Sequence, residues 1–407
     1  MSNAINEVDD PEKKEEPLVD KEEESSKSKM LKLYVLTVGA VLLVIIIVFI
    51  IAVKVGGSPS KKRTNTFKCK YISNQNETIK LFNININSIS YYKIDNKTFE
   101  PNNNFIGEFL FETGGIHTVE VKLKEKLNST EQLFKNCINL LEADLSDLET
   151  KEIVTTSEMF SGCLQLTSID LTDFDTSKVE NMEYMFYACI KLDSLNLTSF
   201  DTSNVENMKS MFYRCHSLKE LKITNFKTDK VTSMEKMFDS CLSLISLDLG
   251  NFKTSNVTDM SYMFASDSLM TYLNISSFNT KKVTKMNNMF YGCNYLSSIE
   301  LNSFNTEKVE DMGYMFYNCK EITSLDLSNF NTENVGNMGA MFGKCGKIRY
   351  LNIKYFETKK LNVNSILFPD IAENGTILYN SKLFNKAYFT NTNIEQWNHK
   401  DYAFIDE

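Results

Sequence analysis

Cys215 and His216 stand side by side, the residue types of a thiol nucleophile and its base. Eight of the nine cysteines recur in register (Cys137, Cys163, Cys189, Cys215, Cys241, Cys293, Cys319, Cys345), a pattern that invites zinc or disulfide chemistry. The spacing argues against each of these. A 26-residue step brings no His or second Cys alongside for a metal. Neighbouring helical segments pack about 8–10 Å apart, whereas bridged cysteines need Cα atoms within about 7 Å. Narrow 3₁₀ turns would shrink that margin. Buried, reduced thiols are therefore expected, since free Cys behaves as a small core residue. The same is expected of Cys69, which lies outside the column. His216 occupies a position held in other copies by Leu164, Ile190, Leu242, Ser268, Asn294 and Lys320. Adjacent residues of a helical segment also point in different directions. With His117 and His399 the only other histidines, and no Gly-rich phosphate loop or Ser/His/Asp set, neither enzyme activity nor a metal or cofactor is expected.

What positions these residues is an internal repeat. The Met-Phe pair recurs at Met159, Met185, Met211, Met237, Met263, Met289, Met315 and Met341, each step 26 residues, with degenerate copies at Leu133-Phe134 and Leu367-Phe368. A period of that length with spaced Leu marks a solenoid whose units bury their apolar faces only against neighbours. Within a unit, Leu195 and Leu197 alternate as on a half-buried strand. Val205, Met208, Met211, Phe212 and Cys215 fall on one helical stripe. The expected fold class is an α/β solenoid of strand-turn-helix coils, strands in a parallel sheet and helical segments on the convex side. Phe174, Phe200, Phe226 and their successors are each followed two residues on by Thr176, Thr202, Thr228 and theirs. A Phe spine buries large area, and the Thr hydroxyls are placed to satisfy backbone groups where strands end.

Ahead of the repeats, residues 1–32 carry ten acidic and six Lys side chains and read as a disordered tail. Leu33 to Val53 is a run of 21 uncharged residues, long enough for one transmembrane helix. Six basic residues flank either end, so the positive-inside rule gives no orientation. A linker (54–63) leads to a β-rich, membrane-proximal capping module (64–126) with a hairpin expected at Gly114-Gly115. The solenoid then spans 127–370 and a C-terminal cap 371–407. The net charge of −9 argues against nucleic acid as a partner.

The full pattern, F-x-T then V-x2-M-x2-M-F then Cys, resembles the BspA-like leucine-rich-repeat surface proteins of bacteria and protists over residues 131 to about 370. That resemblance implies a cell-surface protein, often an adhesin, with no catalytic residues to transfer, and places the repeats outside the cell with the N-terminus cytoplasmic. Asp267 interrupts the Cys column.

Positions that change between copies are the candidates for recognition. On the outward strand face these are Asp170, Asn196, Lys222, Asp248, Asn274, Glu300, Asp326 and Asn352, with Tyr272 and Tyr350 as aromatic anchors. A second row, Tyr184, Tyr187, Tyr213, Tyr262, Tyr291, Tyr314 and Tyr317, brackets the Met-Phe pairs and is either an interaction surface or packing between coils. The expected function is a single-pass membrane-anchored protein whose solenoid recognises an extracellular protein or glycan without catalysis. The alternative is a surface coat that associates laterally and has no specific ligand.

Overall fold

A computed structural model describes residues 63–101, 107–361, 367–389 and 392–402. The acidic tail, the apolar stretch 33–53 and all of the linker but Arg63 lie outside them. Among the described residues no helix is long and apolar enough to cross a membrane.

The chain from Arg63 onward forms one unit. Its first part is β-rich: β1 (Thr66–Ser73), β2 (Glu77–Lys80), β3 (Ile89–Ile94), β4 (Lys97–Phe99), β5 (Glu108–Phe111) and β6 (Gly115–Leu123). The expected hairpin is not one. β5 pairs with β2, while β6 pairs with β1 and β3, so the strands on either side of Gly114-Gly115 enter different sheets. β1 then pairs on its other edge with β7 (Leu140–Asp144), which pairs in parallel with β8 (Ser168–Asp170). The sheet order β4-β3-β6-β1-β7-β8 thus runs from the module into the first coils without a seam. An exposed solenoid end is closed by an antiparallel strand, which removes the open edge.

Successive coils contribute the three-residue strands Ser194–Asn196, Glu220–Lys222, Ser246–Asp248, Tyr272–Asn274, Ser324–Asp326 and Tyr350–Asn352. Thr376–Tyr379 and Asn398–Asp401 carry the parallel pairing to the C-terminal end. The strands Ser194–Asn196, Ser246–Asp248 and Ser324–Asp326 bury their central Leu and turn the residues on either side outward, as a period of two requires, whereas Asn352 and most of Thr376–Tyr379 are buried towards the C-terminal end.

The helical half of each unit is corrected by the structure. Residues such as Met182 to Cys189 form no helix, and among the described residues the only helical segments are 3₁₀ turns at Ile86–Ser88, Lys386–Phe389 and Asn393–Gln396. Two residues per coil sit in the left-handed region, for example Tyr184 (φ 55°) and Ala188 (φ 56°), then Ser210 (φ 53°) and Arg214 (φ 62°). A helix cannot pass through them. The backbone instead forms consecutive turns: Met185 N–H bonds Met182 carbonyl and Tyr187 N–H bonds Tyr184 carbonyl within the coil. Tyr184, Phe186 and Ala188 donate to Lys209, Met211 and Tyr213 of the next coil at 2.8–3.0 Å. The fold is therefore a β-solenoid, hydrogen-bonded coil to coil on both faces.

The packing explains why. Phe160, Phe186, Phe212, Phe238, Phe264, Phe290, Phe316 and Phe342 form one ladder of fully buried rings whose centroids lie 5.5–6.0 Å apart. α-Helices about 10 Å across would hold these rings out of contact. Turns let the coils approach to stacking distance. A second ladder, including Phe226–Phe252 and Phe278–Phe304, runs beside it at 6.4 Å.

Beside the second ladder the Thr hydroxyls act between coils. Thr228 donates to the Lys253 carbonyl at 3.0 Å and accepts the Lys253 N–H at 2.7 Å, and Thr202 treats Lys227 in the same way. Replacing buried Thr228 by Val keeps the shape and strips both groups of Lys253 of this partner. A loss of about 1–3 kcal/mol is expected. It should appear as a lower urea midpoint with unchanged slope; an unchanged midpoint would refute the role.

Candidate functional site

The sequence-predicted residues separate into two groups once their hydrogen bonds are known. Asp170, Asn196, Asp248, Asn274, Asp326 and Asn352 all use Oδ1 to accept the backbone N–H two residues on, at 2.9–3.2 Å. They are turn caps that fix the chain as it leaves each strand. Lys222 and Glu300 make no such bond and are exposed; Glu300 accepts only from the Asn302 amide at 3.3 Å. The two Tyr anchors also differ. Tyr272 is 54% exposed. Tyr350 pairs with Thr376 of the C-terminal strands and is half-buried, and burial raises its phenol pKa.

Around Tyr272 the structure adds residues that the strand columns did not single out. Leu242, Ile245, Leu269 and Tyr295 are exposed on three consecutive coils. In the third of them Ser298–Glu300 is not a strand, so the sheet pairing that includes Tyr272–Asn274 ends there.

The Tyr row on the turn face is partly packing. Tyr187 lies against Tyr213 at 5.2 Å, Tyr291 stacks on Tyr317 at 5.3 Å, and Tyr184 and Tyr314 meet these pairs edge-on. In the column formed by the residue after Met-Phe, the two rungs between the pairs are Asp239 and Ala265. A groove of about 630 Å³ opens there, with Tyr213, Tyr262 and Tyr291 in its walls and Asp239, Ala265 and Ser266 among its lining. Burial pushes the Asp239 carboxyl up to about 6, opposed by a Ser240 hydroxyl bond at 2.7 Å and by Lys236 and Arg214 nearby.

In the next coil lies Asp267, which is fully buried. Every ladder cysteine from Cys163 to Cys345 points its Sγ at the carbonyl of the Phe 29 residues earlier, at 3.1–3.3 Å. Asp267 instead accepts the Cys241 N–H through Oδ1 at 2.9 Å, and its Oδ2 has no hydrogen-bond partner. Burial raises its pKa well above the ordinary carboxylate range, favouring the neutral acid over the carboxylate.

The described cysteines are buried and unbridged. Since the coils stack at ring contact, helix width is not what separates them; each thiol of the column is committed to a carbonyl, Cys137 to that of Leu81 and the rest to Phe carbonyls. Burial lifts Cys215 to about 12, and its Sγ faces Phe186 O, so it supplies no thiolate at neutral pH. His117 lies between Asp95 (2.6 Å) and the Thr113 carbonyl (3.1 Å), stacked on Phe111. His399 faces the Ile394 carbonyl.

A second groove, of about 510 Å³, lies over the sheet where the module meets the first coil. Its Lys70–Glu142 (2.7 Å) and Lys93–Glu120 (2.9 Å) pairs neutralise one another across strands.

Strand, Leu columns, buried Phe ladder and a surface of variable polar residues together define a repeat β-solenoid. Three copies of the family described as "Mycoplasma protein of unknown function, DUF285" match residues 118–220, 191–298 and 266–376, and the chain belongs to that family. No curated protein matches the chain. Among solved structures it is similar to "Crystal structure of TLR13-ssRNA13 complex", at 14% identity and a TM-score of 0.22, over 61% of this chain and 38% of that one. The chain thus spans less than two fifths of that protein's length.

Proposed function

We propose that this is a membrane-anchored surface protein whose solenoid recognises another protein or a glycan without catalysis. One observation supports it most: departures from the repeat gather in the coils between Asp239 and Glu300. Those coils hold the interrupted Tyr row, the Asp in the Cys column, the lost strand and the exposed Leu242, Ile245, Leu269, Tyr272 and Tyr295. Aromatic and apolar side chains exposed together are what a partner buries. The anchor is the apolar stretch 33–53, whose length suits one span. The resemblance to BspA-like surface proteins supports placing the repeats outside, and protease protection of them on intact cells would contradict it.

Full-length protein and its Tyr272→Ser and Tyr350→Ser variants should be compared in binding to intact cells and to extracted surface components. Tyr272→Ser is expected to weaken binding at least tenfold, and Tyr350→Ser, half-buried under the cap, to leave it within twofold. Equal effects of the two would remove this surface from the account. Self-association in place of any captured ligand would favour the coat reading.

A further inference from the structure

The geometry points to the gap in the Tyr row as a binding groove for a neutral, linear oligosaccharide. This rests on the recognition reading above and assigns a ligand class to a site on the turn face, apart from the exposed surface around Tyr272.

The row has a rung in every coil from Tyr187 to Tyr317 except at Asp239 and Ala265. Its paired neighbours set the spacing: one ring per coil, 5.2–5.3 Å apart, tilted by 35° at Tyr187–Tyr213 and stacked at Tyr291–Tyr317. Tyr291 stacks on Tyr317 with the ring planes 8° apart, so its other face looks toward the coil in which the column offers only the Ala265 methyl. Tyr291 is an aromatic platform within a 630 Å³ groove that continues past it to Tyr314 and Asn337, within the range of about 300–1,000 Å³ typical of ligand sites. The groove runs across successive coils, and an extended chain of pyranose rings advances by about one coil step per ring.

Between the aromatic walls the lining is rich in hydroxyl, amide and carboxyl groups. Asp239, Ser240, Ser266 and Asn288 offer donors and acceptors suited to a polyhydroxylated ligand. A cationic ligand fits less well, because the chain's own cations already sit over these rings: Arg214 over Tyr213 at 5.3 Å, Lys236 over Tyr262 at 5.2 Å and Lys344 over Tyr317 at 5.4 Å. An anionic glycan meets Asp239 and Asp311 in the lining, while the nearby Arg214 and Lys236 are already engaged with Tyr213 and Tyr262. What remains is a sugar face on Tyr291 with neutral hydroxyls toward Asp239 and Ser266.

The test uses full-length protein with cellohexaose, maltohexaose and chitohexaose, heparin hexasaccharide and hexalysine as contrasting probes, read by calorimetry. At least one neutral hexamer is expected to bind, more tightly than its dimer and than either charged probe. Ala265→Tyr supplies the missing rung, a residue that the same column accepts at four other coils. Because Ala265 is buried, the added ring is expected to lower the thermal transition, and the folded variant should bind at least tenfold more weakly. Tyr291→Ala should weaken binding as much by removing the platform. Binding of no neutral hexamer, or tighter binding of a charged one, overturns the inference. If a neutral hexamer binds but Ala265→Tyr leaves its affinity unchanged while Tyr272→Ser abolishes it, the groove assignment fails and the recognition reading stands.

Discussion

Asp267→Cys is expected to stabilise the protein, and by more at pH 8 than at pH 5. The replacement restores a thiol where its ladder neighbours donate to a Phe carbonyl, here that of Phe238, and removes a carboxyl whose Oδ2 has no hydrogen-bond partner. An unsatisfied buried polar atom costs about 1–3 kcal/mol. The pH dependence follows from the direction of the shift. In the unfolded chain the carboxyl loses its proton near pH 4; burial keeps it protonated in the folded chain to much higher pH. Below about pH 4 both states hold the proton and no ionisation penalty applies. As pH rises from there, only the unfolded state releases its proton, and folding stability falls until pH passes the folded pKa. Asp239 acts in the same sense up to about pH 6. Urea unfolding across pH 4–8 should show a shallower decline for Asp267→Cys than for the parent protein. Asp267→Asn, neutral but still polar, should flatten the curve with a smaller gain. A variant no more stable than the parent, or equally favoured at every pH, would sink this account.

Much of this arrangement was legible because the 26-residue register exposes columns. Phe, Met, Leu and Thr recur, so they are scaffold, and the structure buries them. The helix was misread for an identifiable reason. Val205, Met208, Met211, Phe212 and Cys215 do share a face, but a wheel reports only which positions face the core. Consecutive turns with Ser210 and Arg214 in the left-handed region give the same spacing. Ring contact between coils decides against the helix, and a single unit does not display contacts between coils. The outward Asp and Asn residues misled in another way. Their bonds run to their own backbone two residues on, which in sequence looks the same as a free polar surface.

The irregular coils carry their own tension. Asp267 lowers stability in the stretch where Asp239, Ala265 and Tyr272 depart from the repeat, and such conflicts between local rule and fold are expected where a site has displaced scaffold. The Asp267 signal was present in sequence as a break in one column. Its coincidence with the break at Asp239 and Ala265 in the Tyr column was the stronger sign.

Phe264→Ala should do the greatest damage, and in a way that reports the architecture. Its ring is fully buried and stacked between Phe238 (5.8 Å, planes 1° apart) and Phe290 (5.7 Å, 6° apart). Truncating a buried Phe costs about 3–5 kcal/mol. In a solenoid that loss falls on two coil-to-coil interfaces, because stability is nearly a sum of units and their nearest-neighbour contacts. The coils before Phe264 remain joined to one another and to the module through the coil-to-coil backbone bonds and bridges, and those after it to the C-terminal strands. Urea unfolding of Phe264→Ala is therefore expected to split into two transitions, with amide exchange rising first in the coils beside residue 264. Phe368→Ala, close to the end of the ladder where the next contact, Phe389, is tilted by 48°, should lower the midpoint and keep a single transition. One transition in both variants would mean that the coils unfold as a globular whole, and the nearest-neighbour description would fail.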